Sequence, residues 1–308
     1  MKNTVKILGL TAIILVSSLL IFATKTNDNN EKNSLNANDK NTSETYQIRA
    51  LKIPDGLNFA GERIPIEKAD IKERIDRELL VNTYWQSNGL LLFKRVHKYF
   101  PIIEPILEQN GIPNDFKYLA VIESGLQNVT SPAGAKGFWQ IMKSTAKENG
   151  LEVNANVDER YHIEKATQVA CDYLNKAKDR FGSWTMAAAS YNAGMAGIAR
   201  KIDAQKVNDY YDLLLADETQ RYLPRMIALK EILNNPEKYG FIFDNEDLYN
   251  LEPTKLIKVD SVISNIAVFS KNLGINYKVL KLHNPWLREN KLNNKSRKLY
   301  QIKIPTEI

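Results

Sequence analysis

The sequence predicts a mainly α-helical fold that ends in a small β-α-α-β unit. Two observations lead there. From about Leu91 to Tyr239, apolar residues recur at helical spacing, glycines or prolines close successive segments, and no window shows sustained alternation. The tail instead opens on a short β-like run, passes through two helical stretches and closes on the alternating strand "LYQIKIP".

The elements follow in order. The first residues carry Lys2 and Lys6 and an apolar run from Val5 to Ala23. About 19 residues make roughly 28 Å of helix, close to the thickness of a bilayer core. Residues 1–25 therefore read as a signal peptide or an N-terminal membrane anchor, with 5–23 as the span. Ile21-Phe22-Ala23 is a poor cleavage site, which favours the anchor. No cysteine follows the run to carry a lipid. The basic flank stays inside, so the remainder is expected to be exported to the cell envelope or periplasm, with the inner membrane as a partner. Residues 26–45 are polar and Asn-rich and form a disordered linker. Residues 46–90 combine an extended stretch with a charged helix beginning near Glu67, an N-terminal extension of the catalytic region with no legible role.

The helical region spans 91–242. "LLFKRVHKYFPIIEPILEQNG" stops at Gly111, and Asn114 or Asp115 is placed to cap "DFKYLAVIES", which stops at Gly125. Thr145 and Glu148 have capping-box spacing. "EKATQVACDYLNKAKDRFG" ends on Gly182, and Ser183 caps "WTMAAASYNAG". A last helix, "ETQRYLPRMIALKEILNNP", runs to Pro236. The acidic stretch "FDNEDLYNLEP" then separates the final unit, 254–308.

Composition narrows the function. Over 308 residues, 44% hydrophobic and 25% charged content are those of an ordinary globular chain. A net charge of +6 is mild at this length, and no Lys/Arg block with interleaved aromatics suggests nucleic acid. Cys171, the only cysteine, lies inside a helical pattern and reads as a buried apolar residue. His97, His162 and His283 have no metal-ligand spacing, so neither a metal nor another cofactor is expected.

The chemistry centres on one carboxylate. Phe116, Leu119, Ala120 and Glu123 fall at i, i+3, i+4 and i+7, so Glu123 extends an apolar stripe at a helix C-terminus. Desolvation and the helix dipole both disfavour its charge, which is how a glutamate becomes a general acid near neutral pH. The alternative is a Glu that reaches past the helix end to water or to a lysine. The following "SPAGAKGFWQ" supplies Gly134 and Gly137 for close backbone approach, Phe138 and Trp139 as flat apolar surfaces, and Gln140 as a neutral amide. Alone it also reads as a turn with two core aromatics. Tyr191 and Asn192 stand just before Gly194 at another helix exit.

Four blocks in register, "ESGLQNVTSPAGAKGFWQIMKSTAKENGL", "DERYHIEKATQVACDYL", "FGSWTMAAASYNAG" and "ETQRYLPRMIAL", resemble the family 1 lytic transglycosylases of the membrane-bound D type. The resemblance implies a goose-lysozyme-like helical domain acting on peptidoglycan glycan strands. It makes Glu123 the sole catalytic acid and base, with the sugar's own C6 hydroxyl as nucleophile, giving 1,6-anhydro-N-acetylmuramic acid. It places Ser124, Gly137, Phe138, Gln140, Tyr191, Asn192, Glu218, Thr219 and Tyr222 along the substrate cleft. The tail resembles a LysM module in degenerate form, with Asn284-Pro285 and Ile304-Pro305 at its "NP" and "IP" positions. The resemblance also suggests cell-wall synthesis or division proteins as further partners. Two other readings stay open: a hydrolytic muramidase with Asp158 or Glu159 as a second carboxylate, and a non-catalytic wall-binding scaffold.

Overall fold

The computed structural model describes residues 48–307, and the expected leader, its 5–23 span and the 26–45 linker lie outside those residues. Among the described residues no helix is long and apolar enough to cross a membrane. A short hairpin, β1 (Asn58–Phe59) with β2 (Glu62–Arg63), leads into α1 (Ala69–Tyr84) and α2 (Gln86–Gln109). Then come α3 (Lys117–Ser124), α4 (Lys143–Glu148), α5 (Ile163–Phe181), α6 (Trp184–Ala193), α7 (Met195–Gln205) and α8 (Asp217–Asn234). The C-terminal unit is β3 (Thr254–Val259), α9 (Ile266–Asn272), α10 (Tyr277–His283) and β4 (Tyr300–Pro305), with the two strands antiparallel from Thr254↔Pro305 to Val259↔Tyr300. The fold class is the expected one, mainly α with a β-α-α-β end.

Helix α8 is the spine. It packs against α1, α3 and α6, and its Leu223, Met226, Ile227 and Ala228 are wholly or almost wholly buried. It contains Pro224, which has no N–H for the carbonyl of Gln220. The buried Tyr210 hydroxyl takes up that carbonyl at 2.9 Å, so the proline costs the helix no orphaned acceptor. Residues 46–90, without a legible role in the sequence, contribute Phe59, Ile71, Ile75 and Leu79 to the same core. Cys171 is buried, and burial pushes its thiol up to about 12.

Local signals that act within a few residues appear as read. Gly125 ends α3 in the left-handed region at φ 60°, Gly182 ends α5 at φ 79°, and Ser183 Oγ accepts from the Met186 amide at 3.2 Å. Two expected caps are corrected. Residues Asn114–Phe116 form a 3-10 turn, and Asp115 is drawn away to the Ala60 amide and the Lys230 ammonium, both at 2.7 Å. Helix α4 begins at Lys143 after Met142, leaving Thr145 inside it rather than at its start.

The stretch between helices and tail is also no free spacer, since Phe241 and Phe243 pack on Phe93 at centroid distances of 5.0 and 4.8 Å. The C-terminal unit shares its core with the helical region. Val157 and Tyr161 are buried among Ile266, Leu280, Trp286, Leu287 and Ile302. Backbone bonds join the two regions, Asp158 N to Trp286 O and Arg288 N to Asn156 O, each at 2.9 Å. The buried Asn156 side chain adds bonds to Lys291 O at 2.7 Å and from Asn293 N at 2.8 Å.

Candidate active site

Glu123 lies in the last turn of α3, between α2 and α8. Leu119, Ala120 and Phe116 on its stripe are fully buried, which carries the carboxyl into the protein. The Tyr222 hydroxyl, from α8, donates to Glu123 Oε1. Burial pushes the Glu123 carboxyl up to about 7, and the negative charge of Glu218 adds to the rise. The Tyr222 bond and the positive charge of Arg225 act the other way. Glu218, Tyr222 and Arg225 stand at i, i+4 and i+7, so one stripe of α8 sets a negative charge, a hydroxyl and a positive charge near the same carboxyl.

Arg225 is the residue that sequence reading missed. Its spacing from Glu218 and Tyr222 was the available signal. It is held by Glu78 of α1, whose carboxylate is 1% exposed and takes Arg225 Nε at 3.3 Å, Arg221 Nε at 2.8 Å and Arg77 at 2.6 Å. A carboxylate so deeply buried is tolerated because three guanidinium groups surround it.

The loop after Glu123 folds back on the helix that carries it. Ser124 Oγ donates to Phe138 O at 2.8 Å and lies 3.1 Å from Ala120 O, so its role here is to tie loop to helix. Gly137 sits at φ 78°, and a Cβ there would lie 2.1 Å from Arg160 O. Only glycine fits this approach. Gln140, also at positive φ (45°), donates through Nε2 to Gly137 O at 2.8 Å and Val129 O at 3.2 Å. Phe138 is nearly buried and meets Tyr99 edge-on at 4.8 Å. Trp139 is fully buried, with its indole N–H on Thr167 Oγ1 at 2.8 Å.

The remaining expected residues converge from α6 and α8. Tyr191 donates to Trp139 O at 2.8 Å and meets Tyr173 edge-on at 5.2 Å. Burial, then the nearby Glu123 charge, raises its phenol well above the ordinary value. Asn192 Oδ1 accepts from the buried Thr219 at 2.7 Å. Glu218 is exposed. Glu123, Tyr191 and Tyr222 thus form one partly buried polar cluster, with Asn192 and Thr219 beside it. Ser124, Gly137 and Gln140 shape the loop backbone.

Asp158 and Glu159 are committed elsewhere. Asp158 is gripped by Arg160 at 2.9 and 2.8 Å, and Arg160 in turn donates to Gly134 O at 3.0 Å and Ile141 O at 3.2 Å. Burial acts to raise Glu159, but Lys165, the Glu152 amide and Lys298 outweigh it and hold the carboxyl below its ordinary range. The carboxylate whose charge bears on Glu123 is Glu218, not either of these.

Residues 100–214 match the family described as transglycosylase SLT domain. Residues 255–308 match the soluble lytic transglycosylase C-terminal LysM-like domain. The membrane-bound lytic murein transglycosylase D of Escherichia coli is 28% identical over 248 residues, covering 74% of this chain and 54% of the relative. The chain therefore spans about half the length of that relative. Among solved structures, an inactive mutant of the lytic transglycosylase Slt from Pseudomonas aeruginosa aligns at 19% identity and TM-score 0.34, over 50% of this chain and 26% of that one. The 70-kDa soluble lytic transglycosylase in complex with bulgecin A aligns at 20% identity and TM-score 0.29, over 46% and 22%.

Proposed function

This chain carries a transglycosylase SLT domain followed by the LysM-like domain of soluble lytic transglycosylases, and on that premise we propose that it is a peptidoglycan lytic transglycosylase. It cleaves the MurNAc-β-1,4-GlcNAc bond and leaves a 1,6-anhydro-N-acetylmuramyl end. The observation that carries the reading is the Glu123 carboxyl, which burial raises to about 7 while Tyr222 donates to it. Near neutral pH such a group holds a proton for the glycosidic oxygen and, once ionised, accepts one.

In the first half of the reaction, Glu123 protonates the leaving oxygen as the C1–O bond breaks. The substrate's N-acetyl group shares the positive charge that develops at C1, with Tyr191 and Asn192 beside it. In the second half, the C6 hydroxyl of the same sugar attacks C1 and gives its proton to the Glu123 carboxylate. The nucleophile belongs to the substrate, so proximity replaces the second carboxylate that a hydrolase uses to activate water. The engagement of Asp158 and Glu159 by Arg160, Lys165 and Lys298 disfavours the muramidase alternative. A wall-binding scaffold has no use for a desolvated acid.

The relative named membrane-bound supports the cell envelope as the site of action, and the basic flank and apolar run of residues 5–23 support a tether with the enzyme on the periplasmic side. The test is mass spectrometry of fragments released from purified peptidoglycan by the protein and by Glu123→Gln. Anhydro-muramyl ends that vanish in the variant support the reading. Reducing ends would make the enzyme a hydrolase, and no products from either protein would leave the scaffold.

A further inference from the structure

The positive charge nearest in effect to Glu123 is restrained from outside the site. Among the described residues, Arg225 makes its one ion pair with Glu78 of α1, its Nε lying 3.3 Å from Oε2. The other oxygen of Glu78 takes Arg221 Nε at 2.8 Å and Arg77 Nη1 at 2.6 Å. Arg225 is thus the most loosely gripped of the three, and it is the one whose charge bears on Glu123. Glu78 is only 1% exposed. A buried ionic network is weak evidence for stability, because apolar residues of the same volume often serve as well or better. The carboxylate at this position therefore calls for another reason.

Arg225 has other acids within its stripe of α8. It stands one turn after Tyr222, whose hydroxyl donates to Glu123, and two turns after Glu218. A guanidinium released by Glu78 faces those two carboxyls, and either choice works in one direction. Pairing with Glu123 favours its ionised form, and pairing with Glu218 cancels a charge that keeps Glu123 protonated. The remaining groups around α3 are committed. Tyr191 of α6 is a phenol that holds its proton through neutral pH. Arg95 of α2 donates to Gly125 O at 3.2 Å, and Lys136 of the loop lies 3.6 Å from Asp158. At the far end of α3, Lys117 pairs with Glu104 and Asp115 with Lys230, each at 2.7 Å.

We propose that Glu78 is a positioning residue for the reaction: it holds the Arg225 guanidinium off the Glu123 carboxyl, leaving that acid free to carry a proton to the glycosidic oxygen. The inference rests on the transglycosylase reading. It gives the segment 46–90 a part in the chemistry, through α1, beyond the apolar residues it adds to the core.

The test follows the Glu123 carboxyl itself by 13C NMR of the full chain labelled at its glutamate carboxyls, with Glu123→Gln assigning the signal. Glu78→Gln is expected to move the titration midpoint down by about one pH unit. The alkaline limb of the initial-rate profile on purified peptidoglycan should move with it, a loss of about fivefold at pH 7 that closes toward pH 5. Glu78→Asp keeps the charge but withdraws it by one methylene, so its midpoint should fall between the two; it replaces Glu78→Gln if that chain does not fold. Arg225→Met should move the midpoint up, and adding Glu78→Gln to it should then change little. A midpoint unmoved in the Glu78 variants, whatever their rates, would overturn the proposal. So would an equal fall with and without Arg225, since Glu78 would then act on Glu123 by its own charge. If no fragments are released from peptidoglycan, the transglycosylase reading fails, and the carboxyl titrations still decide whether Glu78 restrains Arg225.

Discussion

At the scale of single residues, Glu123 carries opposing demands. Its folded-state pKa of about 7 lies above the ordinary carboxyl value, so the folded protein holds a proton that the unfolded chain has released. Stability is therefore lost as pH rises from about 4.5 to 7, by on the order of 1–3 kcal/mol. Glu123→Gln removes that slope. Urea unfolding at pH 5 and pH 8 should show the variant more stable than the parent at pH 8 and equal to it at pH 5. Activity should fall about 10³-fold, the usual cost of losing a general acid. The neighbours should move the pH profile in opposite senses. The alkaline limb reports the proton on Glu123. Glu218→Gln removes a charge that raises this pKa, so the limb moves to lower pH. Tyr222→Phe removes a bond that lowers it, so the limb moves up. Profiles of initial rate that shift together, or not at all, would contradict this account of the carboxyl.

Among the elements, those defined by neighbouring residues were legible and those defined by distant partners were not. Gly125, Gly182 and Ser183 act within one helical turn, and each ends or starts a helix as its position implies. Asp115, with Asn114 one of the two candidate caps, instead serves Ala60 and Lys230, 55 and 115 positions away. Nothing within a turn of Asp115 announces either partner. The loop 134–141 shows the same division. Gly137 foretells a close backbone approach, but the segment it approaches, the 3-10 turn Glu159–Tyr161, is visible only in three dimensions. Gly137→Ala should cost about 2–4 kcal/mol, because its Cβ meets a backbone carbonyl and its φ is unfavourable for alanine. Chemical denaturation measures the cost, and a loss under 1 kcal/mol would mean that the Arg160 carbonyl moves aside freely.

For the whole molecule, the C-terminal unit is part of the helical region's support. Val157 and Tyr161 complete its core, while Lys298 and Lys303 pair with Glu152, Glu159 and Glu164 of the helical region. The same segment carries Arg160, which holds the loop beside Glu123. Deleting residues 251–308 should therefore lower Tm by about 5–10 °C and reduce cleavage of soluble glycan as well as wall binding. An unchanged Tm with only binding lost would make the unit an independent appendage.

By itself the sequence determined most of the helices, though not α7 (Met195–Gln205), most of their ends, the strand that closes the chain and the one glutamate desolvated on an apolar stripe. Periodicity and capping act over three to seven residues, and those distances are written in the chain. Tertiary structure alone decided the company that glutamate keeps. Tyr222 is 99 positions from Glu123, and Glu78 lies 147 from the Arg225 it holds. It also decided that the tail docks on residues 156–161, because which apolar faces meet depends on surfaces assembled from the whole chain.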